Sequence, residues 1–312
     1  MSYPPIANVL LNEVHSSCDI STNNNNNVDE QKPIMASTFP NVWKYAFASR
    51  SSLLPILLRR RGFASSIVSG AEKSCEELGI SSLSLYQITN PRPSLFYSMN
   101  ALADGMLDVI SDDHSRYVGC VNFHDVNRLV ELQRLLKLKG GEYISTNVFD
   151  FSITDRKYMG LIMACKKLGI TPLCTNVLDD GLATGRYTST NPTGGEVSTK
   201  EGDLGPYSVR KLEKLDVLFR TQESLREKIN RRIGNTIMKM NDKGGGGGGG
   251  PKINRDVTTT QIAINYVRAK GAVPLVSVTN VKMANEVLGC LGWDLSDEEV
   301  EELDKACKSC GI

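Results

Sequence analysis

Histidine is nearly absent from this sequence: three residues in a chain of 312, against 36 Lys plus Arg and 35 Asp plus Glu. Chemistry that draws on several imidazoles at once, whether proton transfer or metal binding, has few positions to use. A charge excess of either sign is also missing. The formal net charge of +1 gives no reason to expect nucleic acid or an anionic membrane as partner. No apolar run approaches the roughly 18 residues needed to cross a bilayer, so a transmembrane protein is excluded. The start MSYPPIANVLLNEVHSS has no basic stretch ahead of a long apolar one and is poor in Arg. It reads as neither a secretory signal nor a transit peptide, so cytosol is the expected compartment, with a plastid left open.

Paired cysteines are lacking too. Eight cysteines lie at 18, 75, 120, 165, 174, 290, 307 and 310, scattered as reduced, partly buried thiols would be. Cys307 and Cys310 make the one C-x-x-C pair, with no second pair or nearby histidine to complete a zinc site. What is plentiful is local. Asn23 to Asn27 is an asparagine run and Gly244 to Gly250 a glycine run. Neither can bury apolar area, so loops are expected at 21–30 and 241–254 within a single domain spanning 1–312. The glycine run lacks the G-x-x-x-x-G-K-S/T pattern of a phosphate loop.

With 40% hydrophobic residues the chain can build a sizeable core. Short apolar runs bounded by turn residues predict strands at Pro33–Ser37, Leu83–Ile88, Tyr117–Asn122, Tyr143–Val148, Thr171–Val177 and Ala272–Val278, buried on both faces. Helical patterns follow them at Ser65–Leu78, Ser94–Ile110, Asp125–Leu138, Asp155–Leu168, Tyr207–Lys239 and Val281–Cys290. Thr258–Ala269 carries Ile262, Ala263, Tyr266 and Val267 on one face, and Ser296 with Glu299 makes a capping box ahead of Val300 and Leu303. This alternation is α/β with a parallel sheet. Six strand–helix units, preceded by an amphipathic helix at Ile6–His15, predict a TIM (β/α)8-type barrel lacking its first two strands. An open doubly wound sheet is the structural alternative.

Four segments carry a family resemblance. The stretch Leu78 to Pro91, LGISSLSLYQITNP, resembles the aldo-keto reductase segment LG-x-x-x-x-DLYQIHWP. YVGCVNF from Tyr117 resembles its IGVSNF strand, and LDDGLATGRY from Leu178 resembles PLGxGLLTGKY. Thr260 to Leu303 is similar to the family's C-terminal tail, Q-x-ALNW through GW-L-x-x-EV-x-EL. The spacing is similar to that of the pyridoxal-reductase-like branch. The resemblance implies a barrel binding NADP(H) at the C-terminal strand ends. There hydride passes to a carbonyl carbon while a tyrosine protonates the oxygen, aided by a lysine–aspartate pair and a histidine. A phenol with an ordinary pKa near 10 needs such cationic help to act as an acid at neutral pH.

Against that pattern the chain departs at each catalytic position. The family's Asp and Tyr belong to the second strand, which has no counterpart here. Thr38 stands where the lysine would be, and Thr89 where the histidine would be. A neutral hydroxyl hydrogen-bonds but cannot stabilise a phenolate as a cation does. No catalytic residue of the family is therefore expected to be retained. For the cofactor, the resemblance points to Asn122, Leu178, Ser277, Thr279, Asn280 and Glu286. Asn122 matches the carboxamide-binding Asn, but Val121 replaces its Ser partner and Val148 a Gln. Thr279 replaces the cation expected at the 2′-phosphate, a charge-assisted contact worth about 1.5–3 kcal/mol. NADP(H) is thus expected to bind weakly or not at all, with a small carbonyl compound as substrate if chemistry survives.

Other tempting residues read more plainly. His15, His114 and His124 are expected in surface or capping roles, none at the end of a strand where barrels do chemistry. Asp112, Asp113 and His114 are contiguous, which suits a solvated turn rather than a metal corner. Arg59 to Arg61 is expected in a solvated loop. Asp179 and Asp180 would repel a phosphate. Three readings stay open: a reductase whose front carries Asp and Tyr, a non-catalytic binding or regulatory module, and a degenerate frame whose unpaired edges invite aggregation.

Overall fold

A computed structural model describes residues 36–39, 56–91, 98–194, 206–243 and 256–312. The expected helix at Ile6–His15, the asparagine and glycine runs, His15 and Cys18 lie outside the described residues. Six strands alternate with helices: β1 (Ala36–Phe39), α1 (Ile56–Leu78), β2 (Leu83–Thr89), α2 (Met99–Ser111), β3 (Ser115–Val121), α3 (Val126–Gly140), β4 (Ile144–Asp150) and α4 (Met159–Lys167). There follow β5 (Thr171–Thr175), a 3-10 turn at Asp179–Thr184, α5 (Val209–Lys243), α6 (Thr259–Ala269), β6 (Val273–Pro274), α7 (Val281–Leu288) and α8 (Asp297–Ser309). Every ladder is parallel, in the sheet order β1-β2-β3-β4-β5-β6. Among the described residues β1 and β6 pair on one side only, so the sheet is an incomplete (β/α)8-type barrel, as the strand count predicts.

The two faces of this sheet differ. On the convex side Tyr86, Ile88, Val118, Cys120, Phe149 and Cys174 are fully buried beneath the helices. Each large apolar side chain buried this way contributes roughly 1.5–3 kcal/mol. The concave side is laid down in rows by register. Thr38 stands opposite Gln87, which continues through Gly119 and Thr146 to Thr171. One layer nearer the strand ends run Thr89, Val121, Val148, Leu173 and Val273. Here the expectation of burial on both faces fails: Tyr117 is 41% exposed, Val273 46% and Leu275 41%. A closed barrel fills its lumen with side chains from strands opposite one another, and an open sheet has no such partners.

Gly119 is required in this concave row. A Cβ there would collide with Thr146 Oγ1 and crowd Gln87 Cγ. With hydrogen in its place, Gln87 Nε2 donates across β3 to Thr146 Oγ1 at 2.9 Å, which satisfies a nearly buried amide.

Several elements depart from expectation. Arg59 to Arg61 lie within α1 and not in a loop, since the helix starts at Ile56, directly after Pro55. Leu and Arg favour helix, and proline suits a helix start. The long helix α5 runs to Lys243, past the expected loop start at 241. Its stripe of Leu212, Leu215, Leu218, Phe219, Leu225 and Ile229 is buried, as helical periodicity demands. Strand β6 shrinks to Val273–Pro274, although Leu275 N–H still donates to Cys174 O at 2.7 Å. Neighbouring residues of a parallel strand point to opposite sides, so the ring nitrogen of Pro274 faces the outer edge, where it has no hydrogen to give. Helices α6 and α8 both start with capping boxes, Thr258 with Gln261 and Ser296 with Glu299.

Candidate active site

Barrels of this type do chemistry where strands end, and three strands here leave by the same device. Asn90, Asn122 and Asn176 follow β2, β3 and β5, each in the left-handed region with φ of 49°, 58° and 51°. Asparagine enters that region at less cost than most residues, so the chain can turn sharply off a strand. Asn90 N–H donates to Val121 O and Asn122 N–H to Val148 O, both at 2.7 Å, which locks the exits to the neighbouring strands.

Around the mouth, the concave positions are neutral or acidic. Thr89 and Val121 are half-buried, and Val148 is 8% exposed. Asp150 is exposed at the end of β4 and accepts from Thr175 Oγ1 at 2.7 Å. Thr38 lies one layer below Thr89 on the adjacent strand. The two positions that the resemblance matches to the family's lysine and histidine thus lie on adjacent strands, and both hold threonine. Among the described strand residues at this end of the concave face there is no phenol and no ammonium group. A threonine hydroxyl can hydrogen-bond a carbonyl oxygen, but it cannot protonate one at neutral pH.

Tyrosine, lysine and aspartate do meet elsewhere. Tyr266 of α6, Lys270 directly after it and Arg156 of the loop after β4 converge on Asp304 of α8. Burial first, then the adjacent Asp304 carboxylate, pushes the Tyr266 phenol well above its usual range. Its proton is committed to Asp304, which makes it a structural hydrogen bond and a poor acid.

His124 corrects an expectation. It sits in the loop between the end of β3 and the start of α3, so one histidine does lie at a strand end. Its half-buried ring stacks on Tyr158 with centroids 4.1 Å apart and planes 5° from parallel. Phe149, a convex-face residue, meets Tyr158 edge-on at 6.1 Å. The stack therefore lies over the helix layer and not over the lumen. His114 precedes β3 at the opposite end of the barrel, where its carbonyl accepts from Leu83 N–H at 2.9 Å.

The residues expected to hold NADP(H) divide into two groups. Asn122 and Leu178 are half-buried beside the strand ends. Ser277, Thr279 and Asn280 are exposed after β6. Thr279 Oγ1 donates to Met283 Sδ at 3.2 Å, and Asn280 Oδ1 accepts from Met283 N–H at 2.9 Å as the cap of α7. The Glu286 carboxylate accepts from Thr258 Oγ1 at the start of α6. Lys282, exposed in the first turn of α7, escaped the sequence reading because it lies three residues beyond the expected cation at 279. Tyr207 and Thr154 escaped it too, lying outside any motif.

The turn after β5 follows Leu178, one of the residues expected at the cofactor. Asp179, Asp180 and Gly181 are consecutively left-handed, with φ of 47°, 52° and 96°. Tyr207 OH lies 3.0 Å from both the Asp179 and Asp180 carbonyl oxygens, and Thr154 Oγ1 donates to Asp179 Oδ2 at 2.8 Å. Burial, then the two aspartates, raises the Tyr207 phenol, so it stays a donor. The Asp179 and Gly181 amides donate to Asn176 O and Leu178 O at 2.9 Å, and the Asp180 amide to Asn176 Oδ1 at 3.2 Å. These amides are spent within the turn and two carboxylates stand beside them. A phosphate-bearing cofactor does not fit this part of the site.

The comparisons agree on the lineage. The Aldo/keto reductase family model matches residues 59–230. Chloroplastic pyridoxal reductase of Arabidopsis thaliana is 26% identical over 212 residues, 66% of this chain and 48% of that protein. The chain thus spans about half the length of that curated relative. Among solved structures, an aldo-keto reductase from Bacillus halodurans in its holo form superposes with a TM-score of 0.52 at 15% identity, covering 79% of this chain and 68% of its own. Glycerol dehydrogenase of Gluconobacter oxydans gives 0.53 at 16% identity, over 78% and 64%. A Bombyx mori aldo-keto reductase in complex with NADP gives 0.50 at 16%, over 78% and 63%. At such identities the structures speak for the fold, and with the family model the conclusion is plain: this chain belongs to the aldo/keto reductase family.

Proposed function

We propose that this chain, read as one domain over 1–312, is an NADP-dependent oxidoreductase domain of the aldo/keto reductase type. In it, cofactor retention and proton transfer are both impaired. The substrate class is a small aldehyde or ketone; pyridoxal is the first compound to try, because the Arabidopsis relative is a pyridoxal reductase. The observation that carries the impairment is the mouth itself, where Thr89, Val121 and Asp150 occupy the concave strand ends. General acid catalysis contributes about 10²–10⁴-fold in rate, so a site without an acid loses at least that much. The test is NADPH oxidation with pyridoxal and simple aldehydes as acceptors. Turnover at least about a hundredfold below that of a family member with the full catalytic set is expected. Rates comparable to such an enzyme would refute the impairment.

A second reading, a non-catalytic binding module, is favoured by the exposed Tyr117, Val273 and Leu275 on the concave face. Cofactor fluorescence separates the two. Unchanged fluorescence at millimolar NADPH leaves only the module. The relative's chloroplast address supports a plastid as the compartment to examine first, with cytosol as the other. Among the described residues no helix is long and apolar enough to cross a membrane.

A further inference from the structure

We infer that the left-handed turn at Asp179–Gly181 is a charge filter that sets the affinity of the barrel mouth for phosphorylated nucleotides, with Asp180 as its specificity-determining residue. The inference rests on the nucleotide reading of the mouth given above and says which group limits it.

Three observations converge. The first is position: the turn follows the C-terminal end of β5, and Thr154 ties Asp179 to the loop after β4. It therefore stands beside the end of β4, which carries Asp150. The second is donor supply. Anions bind to backbone N–H groups that point outward unpaired, as in a nest or at a helix start. Here the amides of Asp179, Asp180, Gly181 and Ala183 are already taken by Asn176 O, Asn176 Oδ1, Leu178 O and Leu178 O. The third is charge. Asp179 is fixed by Thr154, whereas Asp180 is exposed. Asp150, also exposed, adds a further carboxylate at the neighbouring strand end. A pyrophosphate approaching this turn meets negative charge that these four amides do not offset, the nearby cations Lys211 and Arg186 lying over the Tyr207 and Tyr187 rings.

The conformation is held firmly enough for this to be a fixed property. Left-handed aspartates are uncommon and persist where surrounding contacts impose the conformation. Tyr207 imposes it by holding the Asp179 and Asp180 carbonyls together. Tyr187 packs beside Gly181, where an added Cβ would sit 3.3 Å from the ring, and meets Tyr207 edge-on at 5.3 Å.

The experiment compares NADPH binding, by fluorescence titration, to the full chain, Asp180→Asn and Asp180→Lys at two salt concentrations. Asparagine tolerates the left-handed backbone, so Asp180→Asn keeps the turn, and an unchanged melting temperature certifies it. Asp180→Asn is expected to tighten NADPH about fivefold and Asp180→Lys about tenfold or more at low salt. Added salt is expected to strengthen binding to the parent chain and weaken it for Asp180→Lys. If the parent and both variants bind NADPH equally, the filter is refuted while the nucleotide reading survives. If no version binds NADPH, the filter and the nucleotide reading fall together.

Discussion

Tyr266 and Asp304 are joined by a 2.6 Å hydrogen bond from phenol to carboxylate, linking α6 to the C-terminal helix α8. Asp304 also accepts from Lys270 at 2.6 Å and from Arg156 at 3.0 Å, so one carboxylate gathers three donors. Burial would raise its pKa, but the hydrogen bonds from Lys270 and Tyr266 and the charges of Lys270 and Arg156 outweigh burial and hold it below the ordinary range.

This knot makes stability depend on pH at both extremes. A depressed carboxylate stabilises the fold above its unfolded pKa of about 3.9, and that contribution disappears as pH falls through the folded value. A phenol raised above its unfolded value of about 10 stabilises below that pH and is lost on the alkaline side. Melting temperature against pH is expected to fall at both ends. Asp304→Asn is expected to flatten the acid limb, and Tyr266→Phe the alkaline limb. An acid limb of the same steepness in Asp304→Asn would sink the assignment.

Gly105 and Gly160 should respond in opposite ways to alanine. In α2 a Cβ on Gly105 would sit 2.7 Å from Ile67 Cδ1 and 3.0 Å from the Ala64 backbone, at the crossing of α1. Gly105→Ala is expected to cost about 1–3 kcal/mol in chemical denaturation. Near the start of α4 a Cβ on Gly160 meets nothing within 4 Å, so Gly160→Ala should be neutral or stabilise by up to about 1 kcal/mol.

The asparagine exits can be tested as a set. Valine at Asn90, Asn122 or Asn176 must enter a left-handed backbone with a branched side chain, at a cost of about 1–2 kcal/mol. Glycine at Asn90 and Asn122 is expected to cost little, whereas at Asn176 it also removes the Oδ1 acceptor of the Asp180 amide. Equal losses for valine and glycine would mean that the side-chain amide, and not the backbone, is what matters.

An environment-sensitive apolar dye should report the open lumen. Tyr117, Val273 and Leu275 expose apolar surface on one face of the native sheet, so fluorescence is expected to rise without denaturant. Tyr117→Lys and Leu275→Asp are expected to suppress the signal with less than about 0.5 kcal/mol lost, as exposed positions allow. No signal from the parent chain would mean that this face is covered in solution.

Much of the architecture was legible because apolar runs and caps are local signals. Leu83 to Ile88 is a strand in any reading, and Ser296 with Glu299 announces its helix from spacing alone. The threonines at 38 and 89 were likewise legible once the flanking motifs were aligned, and register places them on adjacent strands. Exposure of the lumen was not legible. Tyr117 and Val273 are ordinary strand residues, and only the sheet's failure to close among the described residues leaves them wet. Nor could sequence show the turn at Asp179, whose left-handed course depends on Tyr207, 28 residues away. His124 looked like a helix-start residue because Asp125, the true cap, is its neighbour.

The proline in β6 bears on how such a molecule would behave when crowded. An uncovered sheet margin ordinarily recruits copies of itself, one rung at a time, into fibrils. Along this border Pro274 leaves a rung without its hydrogen, and the ladder is only two residues long. Among the described residues the other edge with one partner is β1, so growth from that rim is the hazard to watch during expression.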